Sequence, residues 1–510
     1  MDSIETNKLN IATKFKLGST QIKNSVNILA NDNVKITKVL TITAKPRIEN
    51  INVNNMEIKF DGVVDYDVLI VAENNEIIPI TQKSNFSHSF ENSAITPDTV
   101  VSIFSNVLEL NNISSSANEL VYNTLINFDI YVTSKNKDIC CATPIENVFV
   151  KEGDFCFCQF DNEIIYDTRL NFEIEKDNKV NSILFATSNA CIKSIIPSNG
   201  YFVVSGNVYT TVVYRTEEGL IRSLIKENSF SEEIEARGVT KESIIQAQIQ
   251  TKEIAIIENS EKNVFNIDIP IKIVAQIYNN IFSKCILDAY STTHEVNLTT
   301  NSFNQDEFLT TSCLQDNIIT SFSIDNSNQP IDRVLAVVPQ NISIVNTVVK
   351  KEELVVEGIV NLNIIYYSID EENADVLNSI DIDVPYSLSF SIQNLDEGEF
   401  VIPQICLCDV SVKSKMGKEL EILAEVCLNY SVVKDKVSAI VTDLTVGEEK
   451  PQKDYALEIY LAKQNQELWD IAKELNVSTE DIINQNQNLS LPISSGERIV
   501  VYRQRQVDFN

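Results

Sequence analysis

The chain has 510 residues, 44% of them hydrophobic, which is enough to bury several cores and excludes global disorder. It carries 41 Lys and Arg against 72 Asp and Glu, a net charge of −31. Nucleic acid binding needs a basic footprint, so this balance excludes nucleic acid as a partner and argues against an anionic membrane surface.

The first residues, MDSIETNKLNIATKFKLG (1–18), hold no apolar run behind their charges, so the sequence predicts no secretory signal. No window reaches the roughly 18–20 apolar residues of a transmembrane helix. Synthesis in the cytosol is the expectation. From there to about residue 440, short runs alternate apolar and polar residues and are rich in Val, Ile, Thr, Tyr and Phe. GNVYTTVVYR (206–215), NIDIPIKIVAQI (266–277) and CLCDVSVKS (406–414) are examples, and this alternation is the strand signal.

The runs repeat. KFDGVVDYDVLIV (59–71), VVSGNVYTTVVYR (203–215) and VVEGIVNLNIIYY (355–367) share a glycine, Gly62, Gly206 or Gly358, with Val64, Val208 or Val360 two residues on. An aromatic follows the glycine after 24 residues in two copies (Phe86, Phe230) and after 28 in the third (Tyr386). The extra residues fit an insertion near DEENAD (370–375), and Val101, Ile245 and Val401 keep the same offset. Upstream, KITKVL (35–40), KVNSIL (179–184) and PIDRVL (330–335) align as well. The pattern predicts a mainly β fold of tandem antiparallel β-sandwich-like domains at 1–140, 141–290 and 291–440. A glycine kept inside a strand three times predicts a bulge or a close backbone approach, a structural need rather than a ligand site.

VTDLTVGEEKPQKDY (441–455) breaks the pattern and predicts a linker over 441–454. A small α+β module follows at 455–505. ALEIYLA (456–462) is a strand, and ELWDIAKEL (467–475) is a helix with Leu468, Ile471, Ala472 and Leu475 on one face. STEDIINQN (478–486) opens as a second helix on a Ser478/Asp481 variant of the capping box, and ERIVVYR (497–503) closes the βααβ order.

Few residues carry the pattern of a reactive site. His88 and His294 are the only histidines and stand in different repeats, each without a patterned partner for a Ser-His-Asp or Cys-His site. Ten cysteines are scattered: 140, 141, 156, 158, 191, 285, 313, 406, 408 and 427. CFC (156–158) and CLC (406–408) put pairs of thiols on one strand face, but no four-ligand zinc spacing is present, so most cysteines read as small buried hydrophobes. No cofactor, metal or catalytic residue is expected. The chain reads as a non-enzyme.

The tail resembles a LysM domain, on Leu468, Trp469, Ile471, Ala472, Val477, Ser478, Ile482, Asn486, Gly496 and Ile499. Asn465, Gln466 and Glu467 stand where that family has Gly-Asp-Thr, in the turn lining the groove that takes up N-acetylglucosamine chains. This departure makes peptidoglycan the lesser expectation and a protein partner the greater. The resemblance implies a partner-binding groove of Asn465, Gln466, Leu468, Trp469, Asn486, Leu489 and Leu491. Trp469, the only tryptophan, has two readings: a cap on the module's core, or a surface anchor. The whole architecture, three glycine-centred repeats and a terminal LysM, resembles the clostridial SPOCS-repeat proteins. That resemblance implies a spore-coat adaptor made in the mother cell and recruited to the forespore surface; the alternative expectation is a peptidoglycan-binding protein of the spore cortex or cell envelope. The adaptor would dock through the LysM onto the coat-basement ATPase SpoIVA, and other coat proteins are further possible partners. The repeats are expected to act as a spacer and second binding surface.

Overall fold

The computed structural model describes residues 7–30, 34–324, 330–369, 375–415, 417–451 and 456–503. Within them the repeats have one topology. In the first, β1 (Asn7–Leu29), β6 (Glu119–Cys141) and β5 (Val100–Ser115) form one antiparallel sheet. β2 (Ile36–Asn54), β3 (Glu57–Ala72) and β4 (Ile77–Glu91) form a meander packed on it. In the second repeat β7 (Phe149–Glu175), β13 (Val264–Tyr290), β11 (Ile244–Thr251) and β12 (Ala255–Asn259) make the first sheet. β8 (Val180–Ser198), β9 (Tyr201–Thr216) and β10 (Ile221–Glu235) make its meander. In the third, β14 (His294–Ser323), β19 (Glu419–Glu449) and β18 (Phe400–Lys415) face β15 (Arg333–Lys350), β16 (Glu353–Ile369) and β17 (Asp375–Ser391). The alternating inward residues of both sheets fill one core per repeat, around Phe60 and Phe128, Phe202 and Phe265, and Leu362 and Val426.

The repeated glycine sits on the central meander strand, β3, β9 or β16. Gly62 lies opposite Ile48 and Phe86, Gly206 opposite Ile192 and Phe230, and Gly358 opposite Ile344 and Tyr386. In each repeat the first meander strand bulges immediately after that isoleucine. The bulged strand pushes a carbonyl oxygen, of Arg47, Cys191 or Ser343, into the space a Cβ would need, and the aromatic ring covers the glycine from the other side. The close approach expected from sequence is therefore present, with the bulge on the neighbouring strand. Most of the DEENAD insertion (370–374) lies outside the described residues.

The repeats pack on one another. Equivalent positions of all three meet in shared apolar clusters. Leu69, Val213 and Ile365, each seven residues after its glycine, pack together with Leu40, Leu184 and Ala336. The first and last strands of each repeat then run on as two-stranded ribbons that pack against one another. Layer follows layer along them: Tyr131, Tyr278 and Val433; then Cys141, Cys285 and Ile440; then Ala142, Ile286 and Val441. Cys141 and Cys285 are 144 residues apart, the spacing of the first two glycines, and their sulfurs approach to 3.1 Å. Burial of apolar strand residues against the other repeats closes the array around a pseudo-threefold centre.

The expected linker also shifts. β19 continues to Glu449, paired with His294, and Lys450 N–H donates to the Thr293 carbonyl at 2.8 Å. Residues 441–449 are thus ribbon, while 452–455 lie outside the described residues. Five cysteines, 141, 158, 191, 285 and 408, are buried as the sequence suggests, and Cys156 and Cys406 are half-buried. Cys313 and Cys427 are joined in a disulfide, which their spacing did not announce. The Cys140 side chain lies outside the described residues. No helix among the described residues is long and apolar enough to cross a membrane.

Candidate functional site: the C-terminal module

Its elements follow the sequence closely. β20 (Leu457–Leu461) pairs antiparallel with β21 (Arg498–Tyr502), and α1 (Leu468–Leu475) and α2 (Thr479–Gln485) lie between them. α1 buries Ile471, Ala472 and Leu475 and ends at Asn476 in the left-handed region, φ 55°. α2 begins on Ser478, whose hydroxyl accepts from Asp481 N–H at 2.9 Å. Ile471, Ala472, Leu475, Val477, Ile482, Ile499 and Val501 form the small core.

One core member comes from elsewhere. Tyr290, the last residue of β13, inserts its ring into this cluster, and its hydroxyl donates to the Val477 carbonyl at 2.9 Å. Trp469 meets that ring edge-on, with centroids 4.8 Å apart, and its indole N–H donates to Asp288 Oδ2 at 2.8 Å. Lys473 Nζ reaches Asp288 Oδ1 at 2.6 Å, and Lys151 pairs with Glu467 at 2.6 Å. Burial pushes the Asp288 carboxyl up, but hydrogen bonds from Lys473 and Trp469 outweigh it and leave it below the ordinary carboxylate range. Trp469 is therefore an internal anchor that docks the module on the ribbon of the second repeat. The ring also packs on the module's core, as the first of the two sequence readings has it, while the contact with the second repeat has no signal in the sequence.

The other groove residues divide. Leu468 and Leu489 are half-buried and pack with Trp469 on the module core. Asn486 Nδ2 donates to the Ile482 and Val500 carbonyls, both at 2.8 Å, and its Oδ1 accepts from Val500 N–H at 2.8 Å. It ties α2 to β21 and has a structural task. Gln466 Oε1 accepts from Lys463 N–H at 3.1 Å and its Nε2 donates to Tyr460 at 2.8 Å, which shapes the turn. Asn465 is exposed with φ 61°, and Leu491 is exposed in the loop before β21. Of the seven residues, only Asn465 and Leu491 are exposed, and Leu468, Trp469 and Leu489 pack on the module core.

What the sequence reading missed is the outer face of the two-stranded sheet. Leu457, Ile459 and Leu461 point away from the helices and are 48%, 62% and 58% exposed. Tyr502, opposite Leu457, is 60% exposed, and half-buried Val500 lies opposite Ile459. The polar residues between them turn inward instead: Glu458 pairs with Arg503 at 2.8 Å, and the Tyr460 hydroxyl donates to Glu474 at 2.6 Å. An apolar stripe on the outward phase of a strand runs against ordinary surface composition. The signal was the Leu-x-Ile-x-Leu alternation in ALEIYLA, whose phase only the helix positions decide. No family model, no curated protein and no solved structure matches the chain.

Proposed function

We propose that the chain is a non-enzymatic adaptor of spore-coat assembly, made in the mother cell and held at the forespore surface by its C-terminal module. The module docks on a protein partner, the coat-basement ATPase SpoIVA, through the outer sheet face of Leu457, Ile459, Leu461 and Tyr502. The observation that carries the docking part is that apolar stripe, exposed on a module otherwise fastened to the array. The resemblance of the whole architecture to SPOCS-repeat proteins with a terminal LysM supplies the biological setting. The Glu467 carboxylate in the turn that would face a neutral sugar, already paired with Lys151, favours protein over glycan.

The test is recruitment in sporulating cells. A fluorescent fusion carrying Ile459→Arg should lose its forespore signal, while Leu491→Arg, in the family's glycan loop, should keep it. The opposite pattern would move the docking surface to the groove.

A further inference from the structure

The second and third repeats meet across β8 and β18, and cysteines gather at that seam. Cys191 extends from β8 and Cys406 and Cys408 from β18, and their three sulfurs lie within 4.8 Å of one another. Cys191 and Cys408 are buried and Cys406 is half-buried. The Cys313–Cys427 disulfide lies in the same cluster, beside Tyr209.

The thiols are not a requirement of the repeat. Counted from the repeated glycine, Cys191 corresponds to Arg47 in the first repeat and Ser343 in the third. Cys406 and Cys408 correspond to Asn106 and Leu108, and to Gln250 and Lys252. The backbone there is shared: β18 shifts register between Leu407 and Asp409, as β5 does between Val107 and Glu109. A bulge re-aims the side chain it carries, and here it carries Cys408 toward Cys191. Two strands from different repeats thus converge three sulfurs that the common fold does not need.

We propose that Cys191, Cys406 and Cys408 form a zinc site that fastens the second repeat to the third. The donor set is all sulfur, which selects a soft or borderline ion such as Zn2+ over magnesium or calcium. Sulfurs each about 2.3 Å from one ion lie roughly 3.8 Å apart, a modest closure of the present spacing. Binding replaces thiol protons by the ion, with the protons released to solvent. Entry is open on the Cys406 side. That residue lines a cavity of about 340 Å³ between the three repeats, whose wall includes Asn106, Gln250, Asn341, Gln404 and Asn429. A water molecule from the cavity completes the tetrahedron.

The full chain, purified in reducing buffer, loaded with Zn2+ and dialysed, should retain one zinc per chain by elemental analysis. Cobalt in its place should give a thiolate-to-metal charge-transfer band in the near ultraviolet. Cys406→Ser, at the half-buried rim where folding is least disturbed, should weaken zinc binding by more than the roughly tenfold to hundredfold that loss of an outer-shell partner costs. Cys156→Ser, on β7 and outside the cluster, should leave it unchanged. Zinc should also protect Cys406 and Cys408 from alkylation in the unmutated chain, a readout independent of the variants' folding. No retained zinc, zinc undiminished in Cys406→Ser, or a disulfide joining two of the three thiols in the reduced preparation would each overturn the proposal.

Discussion

At the scale of single residues, two positions show how much the sequence pattern concealed and revealed. Gly358 was legible: its recurrence at a fixed offset from an aromatic predicted a close approach, and the Ser343 carbonyl and Tyr386 ring occupy the space its Cβ would take. Gly358→Ala should cost about 2–3 kcal/mol in denaturant titration, because a backbone carbonyl cannot swing aside like a side-chain end. Lys14 was not legible. It reads as one polar residue in an alternating strand, yet it is buried where the first and second repeats meet. Its ammonium donates to Gln276 at 2.9 Å and also contacts Gln246, and Gln276 accepts in turn from the Tyr278 hydroxyl at 2.9 Å. Burial pushes the Lys14 pKa down to about 7, against an opposing pull from Cys158 and Glu163. Between about 7 and the free value of 10.5, the unfolded chain holds a proton that the folded chain has lost, so folding stability rises with pH across that window. Relative to Lys14→Met, the unmutated chain should gain stability from pH 7 to pH 10 with a slope of up to about 1.4 kcal/mol per pH unit. A flat difference between the two proteins would refute this account of Lys14.

Among the elements, the C-terminal module was the most legible part, because helix period, capping residues and short strands are local signals. α1, α2 and both strands lie within a residue or two of their expected bounds. Its attachment was not legible, since Asp288 and Tyr290 are about 180 residues upstream of their partners and carry no motif. The attachment can be followed through Trp469, the only tryptophan. Asp288→Ala should shift Trp469 emission to longer wavelength, as the indole loses its acceptor and the module loosens from the ribbon. Acid should do the same to the unmutated chain. The Asp288 carboxylate binds its proton less readily when docked, so docking is favoured above the ordinary carboxylate pKa and weakens as pH falls through the lower docked value. Emission that stays constant through acidification until the β-sheet circular dichroism is lost would contradict this attachment.

For the whole molecule, strand alternation and the glycine period gave three sandwich-like repeats. They gave no sign of how those repeats pack, because strand side chains committed to a repeat's own core and those committed to its neighbours are equally apolar. Phe308 illustrates this: it is one aromatic in a ribbon strand, but it packs on Tyr278 of the second repeat, with centroids 4.7 Å apart, in a cluster that also holds Tyr131 of the first. Phe308→Ala should cost about 3–5 kcal/mol and lower one cooperative calorimetric transition for the whole array. Separate transitions, with only the third repeat's displaced, would mean that the repeats fold independently. The module fastened to the ribbon end of this closed array presents the apolar sheet face of Leu457, Ile459 and Leu461.

That face is the centre of the functional account, and its most direct test is the affinity of the purified full-length chain for purified SpoIVA, measured by calorimetry with and without Ile459→Arg. Loss of a central apolar contact at an interface typically costs about 2 kcal/mol or more, so affinity should fall by roughly thirtyfold or more. Trp469 emission and the melting temperature should stay unchanged, since Ile459 is 62% exposed and outside the module core. Undiminished binding by a folded Ile459→Arg protein would contradict the account.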